Sequence, residues 1–154
     1  LKNFIYISHR GNLDGRNPEK ENHQDYIDYA LNSNYMAEID LWSKNEKLFL
    51  GHDFPQYEVD LSWLKTRKDY LWIHCKNTEA FDKMLRENLH CFFHNIDDYT
   101  ITSLGYVWAY PGKNAAGSNC IEVMPELSRP IDSFYEKSSF HGVCSDYVKI
   151  LNNR

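Results

Sequence analysis

Residues 4–42 read FIYISHRGNLDGRNPEKENHQDYIDYALNSNYMAEIDLW, and this stretch decides what fold to expect. It opens on one β-rich apolar run (4–8) and closes on another (35–42). Between them NHQDYIDYALNS (22–33) has helical spacing, with Tyr26, Tyr29 and Ala30 on one face and Ile27 and Leu31 beside it. Strand, helix and strand in that order predict a crossover between parallel neighbours. The same unit recurs at 70–75, 78–88 and 90–95. There TEAFDKMLREN begins at a capping threonine and spaces Phe81, Met84 and Leu85 at i, i+3 and i+4.

Working outward, KLFLGH (47–52), GYVWAY (105–110), NCIEVM (119–124) and GVCSDYV (142–148) are further β-rich runs. The linker SKNEK makes 35–52 read as a hairpin, and residues 131–137 offer a third, weaker helix. After residue 95 the connections are too short for full helices. No repeat or low-complexity tract divides the chain, so one domain spanning residues 1–154 is expected.

Composition narrows the function classes. The net charge of −5 argues against a nucleic-acid surface, which needs a clustered positive field to neutralise phosphates. No apolar run approaches the roughly 18 residues of a membrane span, and no leader pattern opens the sequence. Cys75, Cys91, Cys120 and Cys144 each lie in an apolar stretch without CxxC spacing, and they read as buried free thiols. A cytoplasmic protein follows from these features as the expectation.

The unusual polar residues gather at strand ends. His9 and Arg10 end the first strand, and Glu38 and Asp40 share one face of the second. His52 and Asp53 end the third, His74 and Lys76 the next, and His94 and Asn95 the one after, while Asp146 lies near the end of the last. In a parallel sheet or barrel those ends meet on one side, where active sites form. Histidine titrates near neutral pH and suits proton exchange, and arginine is a fixed cation shaped for phosphate.

The order HRG, then PEKENH, then AEIDLW, then LFLGHD resembles the signature of glycerophosphodiester phosphodiesterases and the related phosphatidylinositol-specific phospholipase C barrels. The match covers residues 5–53, about a third of the chain, with fainter echoes in IHCK and HGVCSDYV. The resemblance implies an α/β fold of the (β/α)8 TIM-barrel type and cleavage of a small phosphodiester that carries a neighbouring hydroxyl. It makes His9 and His52 the general acid and base. Arg10 and Lys76 hold the phosphate, and Glu38 and Asp40 are ligands of a divalent cation, Mg²⁺, Ca²⁺ or Mn²⁺. Glu21, from the PENT-like KENH, supports the site.

Three departures from that signature shape the expectation. His74 stands where the family has a third carboxylate, which shifts the preference toward softer ions such as Mn²⁺ or Zn²⁺. His23 replaces a threonine. A full barrel of this type takes about 250 residues, so a trimmed or incomplete barrel with reduced helices in the C-terminal half is expected. Its exposed sheet edge leaves a homo-oligomer open.

Other readings stand beside these. Glu38 and Asp40 also fit a solvated strand face, and Glu21 fits a partner for Arg10 or a helix cap. His94 and Asn95 fit a rim or turn. Trp108 and Tyr110 fit either a stacking surface for substrate or structural aromatics. For the whole chain the alternatives are a metal-independent, phospholipase-C-like lyase that stops at a cyclic phosphate, and a non-catalytic barrel that binds a phosphorylated ligand.

Overall fold

Side-chain alternation along short strands builds this protein in two layers. The computed structural model describes residues 4–113, 117–133 and 140–153. In chain order the elements are β1 (Ile5–His9), α1 (Gln24–Asn32), β2 (Met36–Lys44), β3 (Lys47–Leu50), β4 (Tyr57–Val59), α2 (Leu61–Thr66) and β5 (Leu71–Cys75). There follow α3 (Thr78–Arg86), β6 (Cys91–Phe92), β7 (Tyr99–Ile101), β8 (Val107–Ala109), β9 (Cys120–Val123), β10 (Gly142–Ser145) and α4 (Val148–Asn152). Two 3-10 turns, Pro125–Leu127 and Ile131–Ser133, follow β9.

The expected (β/α)8 TIM-type barrel does not form. The strands make a mixed ten-stranded sheet curved into a half-barrel, with only four α-helices among the described residues. Parallel pairing runs β6-β5-β2-β1-β10-β9-β8. Antiparallel strands interrupt the alternation that such a barrel requires. The β3 strand returns along β2, β4 turns back in its turn along β3, and β7 pairs back on β8. Beyond β6 the described chain holds no α-helix until α4, because the connections are short or turn as 3-10.

Between β6 and β8 no ladder forms among the described residues. Single bonds from β7 and the β7–β8 turn join the hairpin to β6 there. One runs between backbones, Ser103 N to Cys91 O (2.8 Å), and two run through hydroxyls, Cys91 N to Ser103 Oγ (3.0 Å) and Thr100 Oγ1 to Phe93 O (3.2 Å).

Period-two alternation then sorts the side chains. Ala37, Ile39 and Leu41 of β2 face outward with Leu71, Ile73 and Cys75 of β5, and form a core with Ile27, Ala80 and Met84 of the helices. On the concave face Ile7, Trp72, Phe92, Trp108, Ile121 and Cys144 make a second core. The next inward positions toward the strand C-termini are His9, Glu38, Asp40, His74 and His94. One alternation therefore places an apolar floor and a polar layer above it.

Several elements differ from the sequence expectation. In α1 the buried residues are Ile27 and Ala30, whereas Tyr29 is 61% exposed. The α3 helix is capped by Asn77, one residue before the threonine, through a bond from Ala80 N to Asn77 Oδ1 (3.1 Å). GVCSDYV leaves the sheet after Ser145, because Asp146 and Tyr147 turn into α4. Of the weak helix at 131–137 only a 3-10 turn is seen, and residues 134–137 lie outside the described residues. All four cysteines are buried thiols outside any disulfide, as expected. No helix among the described residues is long and apolar enough to cross a membrane.

Candidate functional site

The HRG motif at the end of β1 forms the corner of the site. Arg10 and Gly11 both take positive φ (54° and 88°), which turns the chain sharply back after His9. A Cβ at position 11 would come within 2.9 Å of the Tyr26 ring, so glycine is required on both counts. Arg10 N donates to Glu38 O (3.0 Å), and the turn locks against β2.

Each histidine of the proposed pair has a carboxylate on its Nδ1. His9 Nδ1 donates to Asp146 Oδ1 (2.7 Å), and His52 Nδ1 to Asp53 Oδ1 (2.7 Å). Such a partner fixes the tautomer and leaves Nε2 as the nitrogen that exchanges protons. His9 Nε2 is 4.0 Å from Glu38 Oε2. Burial would lower the His9 pKa, but the bond to Asp146 and the charge of Glu38 outweigh it and raise it. For His52 burial prevails, helped by Arg10 and Lys76, and its pKa falls.

His52 reaches the site because β3 runs back along β2 past the end of β1. Gly51 N bonds to Asp40 O (3.1 Å). Gly51 has φ 146°, and a Cβ there would lie 2.3 Å from Phe54 O.

Glu38, Asp40 and His74 come together as the β2–β5 register demands, with Asp40 opposite His74. They offer ligand atoms that all lie within 4.8 Å of one another. His74 Nδ1 is 3.1 Å from Asp40 Oδ1 and 3.8 Å from Glu38 Oε1. Burial and the charge of Asp40 push the Glu38 carboxyl up, against His9, Arg10 and His74. Asp40 goes the other way: burial would raise it, but His74, Arg10 and Lys76 hold it well below the ordinary carboxylate range.

These donors fit a divalent cation. Two carboxylates and an imidazole make a mixed hard and borderline set. Glu38 Oε2 is buried without a hydrogen-bond partner, a costly arrangement that a cation would relieve.

Arg10 Nε lies 2.9 Å from Asp40 Oδ2, at an angle poor for a hydrogen bond, and Nη1 donates to Glu21 Oε2 (3.3 Å). Lys76 Nζ stands 3.5 Å from Asp40 Oδ1, behind the cavity rather than in its lining. Glu21 is likewise buried, and binds Arg10 and Asn12. The cavity above these groups has a volume of about 210 Å³, and His9, Arg10, Glu38, His52 and His74 line it. All eight residues singled out from the sequence thus converge, five of them on the cavity itself.

Four contributors were not singled out as site residues. Asp146 orients His9, and its own carboxyl, pushed up by burial, is brought below its ordinary value chiefly by that bond. Asn12 Nδ2 donates to both Asp146 Oδ1 (2.8 Å) and Glu21 Oε1 (3.0 Å), linking the partners of His9 and Arg10. Asn22, at φ 64°, clamps Asp40 by a bond to its carboxylate and one from its amide (both 2.9 Å). His94 lines the cavity and stacks on His74 with ring centroids 4.6 Å apart. Burial, with His74 and Lys76, lowers its pKa to about 4. The strand-end pattern had pointed to Asp146 and His94; nothing in the spacing marked Asn12.

Comparison with protein-family models, with curated proteins and with solved structures finds no match to this chain.

Proposed function

We propose that this protein is a phosphoric diester hydrolase acting on a small glycerophosphodiester-like substrate. The observation that carries the reading is the convergence at one cavity of two carboxylate-held histidines, a partly buried arginine and a three-ligand cluster. The resemblance of residues 5–53 to the HRG…E-x-D…HD signature supports it from the sequence side.

In this mechanism one of His9 and His52 removes the proton of the substrate's neighbouring hydroxyl as its oxygen bonds to phosphorus, and the other protonates the leaving alkoxide as its P–O bond breaks. The two then exchange roles so that water opens the cyclic phosphate. Asp146 and Asp53 keep their rings oriented and stabilise the imidazolium. Arg10 holds phosphoryl oxygens, while Lys76 acts through Asp40. Glu38, Asp40 and His74 would hold Mg²⁺, Ca²⁺ or Mn²⁺. Such an ion supplies positive charge against the phosphoryl oxygens.

One observation favours a second reading, a metal-independent lyase that releases a cyclic phosphate. Arg10 and Lys76 already flank Asp40, so two permanent cations stand beside the carboxylate that an ion would neutralise.

The test is product release from glycerophosphocholine, glycerophosphoinositol and bis(p-nitrophenyl) phosphate, with EDTA and with each metal restored. Metal-dependent turnover that His9→Ala removes supports the hydrolase. Turnover that survives exhaustive chelation and stops at a cyclic product selects the lyase. Folded protein that turns over no substrate under any condition overturns both and leaves a phospho-ligand-binding protein.

A further inference from the structure

The cavity is lined by two unlike sets of residues. His9, Arg10, Glu38, His52 and His74 come from the β1–β5 side and are all polar. The rest of the lining comes from the ends of β6, β8 and β9 and the segments that follow them: His94, Trp108, Tyr110, Pro111, Val123, Met124 and Leu127. None of these seven side chains carries a fixed charge, and His94 is the one imidazole among them.

Two features mark this wall as more than leftover core. Met124 adopts the left-handed region (φ 49°, ψ 53°), which side chains other than glycine rarely take. Strain of this kind persists where surrounding structure enforces it, and it clusters at binding sites. Here a bond from Met124 N to Cys144 O (2.7 Å) holds the turn, and the flexible thioether side chain lines the cavity. Leu127, in the next turn, is 69% exposed although it too lines the cavity, so the apolar surface continues from the interior to the mouth.

The polar atoms available along this wall are few. His94 Nδ1 is buried without a hydrogen-bond partner and can serve one hydroxyl. The Trp108 indole and the Tyr110 phenol each bring one polar group to an otherwise apolar body. A polyol bound here would lose water from several hydroxyls and find too few partners, an unfavourable exchange. A hydrocarbon group would lose nothing of the kind and would bury apolar area. At about 210 Å³ the cavity is smaller than the roughly 300–1,000 Å³ that encloses a drug-sized ligand. It can surround a phosphate and the first atoms of its substituent, and the remainder must pass out over Tyr110 and Leu127.

We propose that the β8–β9 wall is a subsite for an apolar substituent, so that the preferred substrate is a phosphodiester with an alkyl or aryl group on one oxygen rather than a sugar or an unsubstituted polyol. This rests on the phosphoryl site proposed above. The wall selects by burial of hydrocarbon, and His94 reads at most one hydroxyl.

Calorimetric binding separates the two ideas without needing turnover. The probes are inorganic phosphate, the series methyl, ethyl, propyl and butyl phosphate, and inositol 1-phosphate, each with and without Mn²⁺. Affinity should rise along the alkyl series by about threefold to fourfold for each methylene buried, and butyl phosphate should bind at least tenfold tighter than inositol 1-phosphate. Leu127→Asn, at an exposed position that folding does not depend on, should flatten the upper end of the series and leave inorganic phosphate unchanged. A flat or falling series, or tighter binding of inositol 1-phosphate, overturns the subsite while binding of inorganic phosphate keeps the phosphoryl site. If folded protein binds neither inorganic phosphate nor any ester, the phosphoryl site fails and the subsite with it.

Discussion

The two arms of the curved sheet meet at β1 and β10 and are built by different rules. From β1 to β6 the strands are backed by α1, α2 and α3, and the outer core of Ile27, Ile39, Ile73 and Met84 lies between them. From β7 to β10 the strands are three or four residues long, and the described connections between them hold turns rather than α-helices. The first arm supplies nearly every ionisable group of the site, Asp146 excepted. The second supplies an apolar wall. The groups of the proposed chemistry, which would tolerate little misplacement, sit on strands braced from both faces, and the proposed hydrocarbon subsite sits on the lightly braced arm.

The largest test of this division is His9→Ala. Activity on the best phosphodiester should fall by about 10²–10⁴-fold, the usual worth of a positioned acid or base. The variant should still fold and unfold in one cooperative urea transition, its midpoint lowered by loss of the Asp146 pair. Activity retained in full would remove the first arm from the chemistry.

Next comes Ile39→Ala, which opens a cavity in the outer core where the side chain is fully buried. It should cost about 2–5 kcal/mol in urea unfolding. A loss within experimental error would mean that the helices do not brace this arm.

A smaller effect should appear with pH. The folded pKa of Asp146 lies below its ordinary 3.8, so this group stabilises above that value and loses its effect as pH falls through the lowered one. The folded pKa of His9 lies above 6.5, so it stabilises below 6.5 and loses its effect as pH rises through the raised value. The pair therefore contributes fully between 3.8 and 6.5. The stability gap between wild type and Asp146→Asn should be widest in that window and shrink toward alkaline pH. A gap independent of pH would assign Asp146 to packing alone.

The smallest effect concerns Arg67, which binds Asp28 of α1 through Nε (2.5 Å) and Nη2 (2.8 Å) and lies over the Trp63 ring of α2. Arg67→Ala should cost about 0.5–1 kcal/mol, and less in high salt. Insensitivity to salt would refute an electrostatic clasp between the two helices.

How much of this was legible in the sequence follows the same boundary. AEID could be read because a period of two puts Glu38 and Asp40 on one face whatever the topology. SKNEK could be read as a hairpin because turn residues separate two apolar runs. These patterns place Glu38 and Asp40 on one face and bring His52 back along that strand, while the roles given to His9, Arg10, His52, Lys76 and Glu21 came from the resemblance to the HRG…E-x-D…HD signature. The overall architecture was not legible, because a short strand such as β7 carries no periodicity, and GVCSDYV looks the same whether it ends as strand or turns into α4. Asn12 could not have been found either. Its amide matters only because folding brings it beside Asp146, a neighbour set by the β1–β10 pairing rather than by local pattern.

The seam between β6 and β8 has a kinetic consequence. A ladder opens only when the strands part along their length, whereas the Ser103, Thr100 and Cys91 bonds can break singly. The β7–β8 hairpin, held on its other side by the β8–β9 ladder, should therefore open along its β6 side well before the rest of the sheet unfolds. Its amides should exchange with deuterium faster than those of β1 and β2, and equal protection would count against this. Trp108 and Tyr110 ride on that hairpin and its end. Each excursion would then loosen one side of the cavity while the ionisable groups of β1–β5 stay in register, giving a long substituent a way in and out that leaves the reacting centre undisturbed.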